Sequence, residues 1–252
     1  MPEQESPELS DADEVRRAFA RQAVRWQDVS YRSWMPGNLF LNQELERAWT
    51  ELLRRNGFLP LEDRRVLDVG CGSGRLLVRM SFLGARSEDL AGVDLLEHEV
   101  EKARALAPHI DFRVGDATAL PFEDRSFDLV TTFTTFSSMR ADETRRAVAA
   151  ELRRVLRPGG AVLWHDFWVN PRNPEVQALT MKDIRGLFPG AQIDAKRVTL
   201  APPIARRVAG ISWLACSVLD AFPFLRTHWL ALIRPPESAP DVKSPKTDPA
   251  EP

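Results

Sequence analysis

From residue 60 onward, short runs of apolar and β-branched residues alternate with stretches whose apolar side chains return every three or four positions. The first spacing suits strands, and the second suits helices that bury one face. Strands are predicted at Arg65–Gly70, Leu90–Asp94, Asp111–Val114, Phe127–Phe133 and Gly160–Phe167, with helices at about Gly74–Leu83, Leu96–Ala107 and Asp142–Leu156. This alternation implies a parallel sheet with helices on both faces, because parallel neighbours need a crossover connection. Past Asn170 the pattern predicts a short helix at Met181–Leu187 and a strand at Ala191–Leu200. An apolar helix or helix pair at Pro203–Phe222 and a last strand at Thr227–Arg234 follow.

Upstream, Ser10 with the acids that follow it makes a helix start, and Val15, Phe19, Ala23 and Trp26 fall on one helical face. A second helix is predicted over Leu39–Arg55, stopped by Asn56-Gly57. The expected division is a disordered acidic leader at 1–10, an N-terminal helical cap at 11–59 and an α/β domain at 60–235 carrying an apolar lid helix at about 203–222. A disordered Pro-rich tail at 236–252 completes it: six of the 19 prolines lie from Pro235 onward, with no apolar run to offset the entropy of ordering.

Composition narrows the function classes. The chain has 252 residues, with 34 Lys plus Arg against 36 Asp plus Glu, and the resulting net charge of −2 argues against a protein whose main task is to coat nucleic acid. Its two cysteines, Cys71 and Cys216, are far apart with no His or second Cys at ligand spacing, so neither a disulfide scaffold nor a metal site is expected. Six acids precede the first base, Arg16, the reverse of a signal peptide's basic start, so a cytoplasmic location is expected.

The candidate chemistry begins at Val66-Leu67-Asp68-Val69-Gly70-Cys71-Gly72-Ser73-Gly74, a buried strand entering a glycine-dense turn that opens a helix. Glycines there allow a sharp turn and let a ligand approach bare main chain. Twenty residues after Gly74, Asp94 in Gly92-Val93-Asp94-Leu95 ends the next strand, where a carboxylate can accept both ribose hydroxyls. A nucleoside-containing cofactor is the favoured ligand, and a tight connection without a ligand is the plain alternative. The spacing is G-x-G-x-G with Arg75 where a dinucleotide fingerprint has its last glycine, which disfavours NAD and FAD, and no P-loop sequence exists.

VLDVGCGSGRLL at 66–77, Asp94, VGDATALPF at 114–122, SFDLV at 126–130 and ELRRVLRPGGAVL at 151–163 together resemble the successive motifs of class I S-adenosylmethionine-dependent methyltransferases. The nearest resemblance is to the small-molecule branch that includes the ubiquinone and menaquinone biosynthesis enzymes. It implies a Rossmann-like, mostly parallel seven-stranded α/β sheet and S-adenosyl-L-methionine as cofactor. Gly70, Cys71, Gly72 and Gly74 would then form the loop at the methionine part, with Asp94 and Leu95 at the ribose. Asp116 and Ala117 would flank the adenine, and Thr132 and Phe133 would lie near the sulfonium. Asp68 would bond the loop or the methionine ammonium through water, and Tyr31, the only tyrosine, would lie over the cofactor. Plain readings stand beside these: Cys71 as a small loop residue, Phe133 as core, Tyr31 as packing for the first helix. The resemblance breaks at Ser137-Ser138, where those relatives often carry a His-His pair, and this weakens any transfer of quinone-ring C-methylation.

Because such a cofactor already carries an activated methyl, a base is needed only if the acceptor must lose a proton. Catalytic candidates are His165 and Asp166 at the end of the fifth strand, although a continuing strand sends them to opposite faces. The apolar 204–225 segment has no charge from Val208 to Leu219 and is too short to cross a bilayer. It reads as a pocket lid with Trp213 toward the substrate, a dimer face, a peripheral membrane element, or an extra core helix. Trp34, Trp164 and Trp168 would widen the same apolar wall. The expected function is methyl transfer to a small-molecule acceptor, most plausibly a hydroxyl of a secondary metabolite, sugar or lipid-linked intermediate, by a monomer or homodimer. An RNA or protein methyltransferase, or a non-catalytic cofactor-binding partner protein, is the alternative.

Overall fold

The computed structural model describes residues 32–170 and 176–236. Tyr31, the helix expected from Ser10, the leader and the tail beyond 236 lie outside the described residues. Seven strands, β1 (Val66–Val69), β2 (Leu90–Asp94), β3 (Asp111–Val114), β4 (Phe127–Phe133), β5 (Leu156–Phe167), β6 (Gln192–Leu200) and β7 (Arg226–Arg234), form one sheet in the order β3-β2-β1-β4-β5-β7-β6. Strands β1 to β5 pair in parallel, and β7 runs antiparallel to both β5 and β6. The fold is therefore Rossmann-like, α/β and mostly parallel.

Strand order reverses at β1, where the chain goes first toward β2 and β3 and then back to β4 and β5 on the other side. Loops leaving β1 and β4 thus part in opposite directions, which opens a crevice beyond the carboxyl ends of the strands. The helices are α1 (Pro36–Arg55), α2 (Arg75–Ser81), α3 (Glu97–Leu106), α4 (Asp142–Val155), α5 (Met181–Leu187), α6 (Pro202–Val208) and α7 (Trp213–Asp220).

Strand alternation divides the core in two. Leu67, Val69 and Val130 face the layer of α4 and α5, with Val148, Leu152 and Ile184 packed against them. Val66, Leu90 and Leu129 face α1, α2 and α3, where Trp49, Leu52, Leu77 and Val100 close the opposite layer. A small third cluster, Phe40, Leu200, Ala205, Ala209 and Cys216, joins the start of α1 to α6 and α7.

Departures from the sequence expectation have local causes. Helix α1 begins at Pro36 rather than Leu39, because proline at the first helical position has its φ already set and no N–H to lose. Strand β5 begins at Leu156 rather than Gly160, with its register against β4 shifting between Phe127 and Leu129. The apolar segment is a helix pair, and Ser212 starts its second member by accepting the Ala215 N–H at 3.1 Å. Both helices lie inside one antiparallel connection, since Leu200 of β6 pairs directly with Arg226 of β7.

Candidate functional site

Strand β1 runs out at Gly70, whose N–H, together with that of Cys71, donates to the Val93 carbonyl at 2.8 and 3.1 Å. These bonds lash the glycine loop to the end of β2. Gly70 has φ +77° and a Cβ there would lie 2.4 Å from Thr135 Oγ1, so its glycine is required by packing. Gly72 differs: with φ +49°, a Cβ would meet nothing nearer than Glu99 Oε2 at 4.0 Å. Bare main chain therefore faces open space at Gly72.

Asp94, at the end of β2, holds that bare turn in place. Its Oδ2 accepts the Gly72 N–H at 2.8 Å and its Oδ1 accepts the Leu96 N–H at 2.9 Å. Burial pushes the Asp94 carboxyl up, while the two N–H bonds favour its charged form and pull it back. Each oxygen retains acceptor capacity for a hydroxyl. Leu95 beside it is half-buried.

Asp68 lies beneath the loop, fully buried, and accepts the Thr131 hydroxyl at 2.6 Å. Burial raises its carboxyl to about 7, against the lowering effect of that hydrogen bond. Cys71 is buried and its thiol is pushed well up by burial, so it sits as an inert thiol in the loop. Asp116 follows β3 in an exposed turn and accepts the N–H and hydroxyl of Thr118, both at 2.8 Å. Ala117 packs against the core beside it. At the end of β4, Thr132 is buried with its hydroxyl unpaired by any protein group, and Phe133 is half-buried with its ring 5.1 Å from that of His165.

His165 and Asp166 diverge, as strand geometry requires. Asp166 accepts the Ser137 and Phe167 N–H groups at 3.0 and 2.8 Å, and burial raises it to about 6. His165 turns the other way, stacked on His228 at 4.6 Å with Nε2 3.3 Å from the Thr199 hydroxyl. Burial lowers it to about 3, so its imidazole is neutral. Thr199 has φ +67°, a strained conformation for a β-branched residue.

Thr199 is also part of the wall of a cavity of about 580 Å³. Asn38, Leu41, Asn42 and Leu45 of α1, Arg75 at the start of α2 and Arg206 of α6 line it, with Arg32 to Trp34 at its mouth. Arg206 donates to Asn38 Oδ1 at 3.0 Å across this space. Of the expected apolar wall, only Trp34 belongs to the cavity. Trp164 is core between Phe136 and Phe188, Trp168 donates to the Arg226 carbonyl at 2.6 Å, and Trp213 packs edge-on against Phe40. The sequence reading missed Asn38, Asn42 and Thr199. The first two carried a signal, polar residues four apart with Leu41 and Leu45 on one helical face.

Comparison with known proteins follows the same ground. The family described as "Methyltransferase domain" matches residues 66–160, from the first residue of β1 into β5. Those residues are a methyltransferase domain. The chain is similar to 27-O-demethylrifamycin SV methyltransferase of Amycolatopsis mediterranei, 34% identical over 206 residues, covering 79% of this chain and 64% of that protein. It is similar also to demethylmenaquinone methyltransferase of Renibacterium salmoninarum, 38% identical over 156 residues, covering 62% of this chain and 59% of that protein. The chain thus spans less than two thirds of the length of either relative. In fold, the methyltransferase domain and its flanks match a Burkholderia thailandensis 1,6-didemethyltoxoflavin-N1-methyltransferase, TM-score 0.61 at 17% identity, over 92% of this chain and 93% of that one. That structure holds 1,6-didemethyltoxoflavin and S-adenosylhomocysteine.

Proposed function

We propose that this chain moves a methyl group from S-adenosylmethionine to an oxygen of a small-molecule acceptor. The observation that carries this reading is the open main chain at Gly72, held by the Asp94 carboxylate at a strand-order reversal. S-adenosylmethionine, when bound, supplies a methyl already activated on a sulfonium, so the protein's work is alignment and exclusion of water.

The residues fit that cofactor. Gly70 to Gly74 offer bare backbone to the methionine part, and Asp94 with Leu95 offers acceptors and a half-buried wall to the ribose. Asp116 and Ala117 stand where an adenine edge would be held. The orphaned Thr132 hydroxyl and the Phe133 ring stand at the end of β4, on the sulfonium side. The cavity beside Arg75 is of a size that takes a small molecule, and its arginine and asparagine donors suit an oxygen-bearing one. Oxygen transfer is favoured by the similarity to an enzyme named for a 27-O-demethyl substrate and by Ser137-Ser138 in place of paired histidines.

Neutral His165 shares a hydrogen bond through Nε2 with the Thr199 hydroxyl and so positions it at the cavity wall, a positioning task rather than proton removal. Asp166 is occupied with the Ser137 and Phe167 amides and holds the turn after β4. Calorimetry tests the cofactor assignment: the intact protein binds S-adenosylmethionine and its demethylated product, and Asp94→Ala weakens both by at least about tenfold, 1.4 kcal/mol. Binding of neither molecule defeats the proposal. Labelled cofactor with a panel of extracts then identifies the acceptor by a mass gain of one methylene. Intact cofactor binding without product on any acceptor favours a non-catalytic partner protein.

A further inference from the structure

Helix α7 and the segments on either side of it break the usual rule for a helix on a protein surface. Its inner face buries Cys216 and Asp220, yet its outer face is apolar as well. Ile211, Leu214, Val218 and Phe222 recur at three- and four-residue spacing, and Ile211, Leu214 and Phe224 are 88%, 74% and 70% exposed. The Phe222–Phe224 ring pair, centroids 5.6 Å apart, extends the same face. A helix apolar all round is ordinarily buried, so this one is built for a second contact.

Charge indicates the chemistry of that contact. The segment between β6 and β7, residues 201–225, contains Arg206 and Arg207 against a single acid, Asp220, although the chain as a whole is slightly acidic. Asp220 is buried and paired with Arg226 at 3.0 Å, so the charge this segment exposes is the positive one of Arg207. Arg207 is exposed four residues before Ile211. No helix among the described residues is long and apolar enough to cross a membrane.

We propose that this face, formed by Ile211, Leu214, Val218, Phe222 and Phe224, seats on an anionic lipid surface with Arg207 among the headgroups. Apolar and aromatic side chains on one side with arginines at the edge are the pattern of an element lying in the interface plane. A second copy is a poorer occupant, because residues 201–225 of a partner copy would offer no exposed acid to pair with Arg207. Docked this way, the molecule sets α6, which supplies Arg206 to the cavity, beside the lipid surface.

The test is flotation of the full chain with vesicles of mixed phosphatidylglycerol and phosphatidylcholine, and with phosphatidylcholine alone, at low and high salt. The wild type floats with the anionic vesicles and releases as salt rises. Ile211→Ser/Leu214→Ser/Phe224→Ser lowers the bound fraction at least about tenfold with unchanged circular dichroism and melting, since these side chains are exposed. Arg207→Glu lowers it on anionic vesicles alone. No flotation of the wild type, or equal flotation of the triple variant, overturns the proposal. So does a lipid-free dimer in light scattering that the triple variant disperses, when vesicles capture neither form. Vesicle binding needs neither cofactor nor turnover, so its outcome is separate from that of the Asp94→Ala titration.

Discussion

Gly70 and Gly72 both adopt left-handed backbone, but they serve different ends, and substitution separates them. Alanine at Gly70 combines strain with a contact of 2.4 Å to Thr135, and is expected to destabilise the fold by about 2–4 kcal/mol. Alanine at Gly72 carries about 1–2 kcal/mol of strain and no contact, so its main effect is on the ligand. Urea unfolding of Gly70→Ala should therefore show the larger loss of stability, and calorimetry of Gly72→Ala the larger loss of cofactor affinity relative to its stability. A second residue-scale consequence concerns pH. The Asp68 carboxyl titrates at about 7 in the folded chain against an ordinary 3.8, so over that interval the folded state holds a proton the unfolded state has lost. Its contribution to stability falls as pH rises from about 4 to about 7. His165, lowered to about 3 from 6.5, acts oppositely, and its contribution is lost as pH falls through that range. Asp68→Asn removes one contributor to the first side, where Asp166, raised to about 6, remains. The slope of unfolding free energy against pH should become more positive by about 1.4 kcal/mol per pH unit between about pH 4.5 and 6. An unchanged slope would mean that Asp68 is ionised in the fold.

At the scale of elements, the connection from β3 to β4, which carries Asp116, is fastened by two side chains of α4. Arg154 donates to the Leu120 and Phe122 carbonyls at 3.0 and 2.8 Å and to Glu151 and Asp124, while Glu151 accepts the Leu120 N–H at 2.7 Å. Arg154→Lys keeps the charge but not the fork, and is expected to cost about 1–3 kcal/mol in denaturant titration with faster exchange of the Leu120 amide. Elements of this kind were legible from the sequence in unequal degree. Strands β2, β3 and β4 begin and end where the apolar runs predict: β2 and β4 lie between neighbours on both edges, so their pattern has one solution, and β3, at the sheet's edge, takes its register from β2. The glycine loop and Asp94 were legible because spacing along the chain fixes them. The cavity was not, because Asn38, Arg75, Thr199 and Arg206 come from four separate segments that only the tertiary fold joins. Thr199's left-handed backbone has no sequence signature at all, since nothing in a β-branched residue announces it.

Over the whole molecule, the glycine loop and Asp94 belong to the parallel half of the sheet, whereas Thr199 and Arg206, which line the cavity, belong to β6 and the α6–α7 segment beyond it. The two halves meet where β7 pairs with β5. Because Leu200 and Arg226 are cross-strand partners, everything between them is an insert in a hairpin. Replacing residues 202–224 by a tight turn should leave the sheet folded and able to bind the cofactor, while vesicle flotation disappears; circular dichroism and calorimetry on the shortened chain check this. The insert is in that sense a detachable cassette. With the acceptor and lipid contacts proposed above, acceptor choice and cellular address would both be written in one stretch of about two dozen codons, within the limit that Ala205 and Cys216 keep Phe40 of α1 covered.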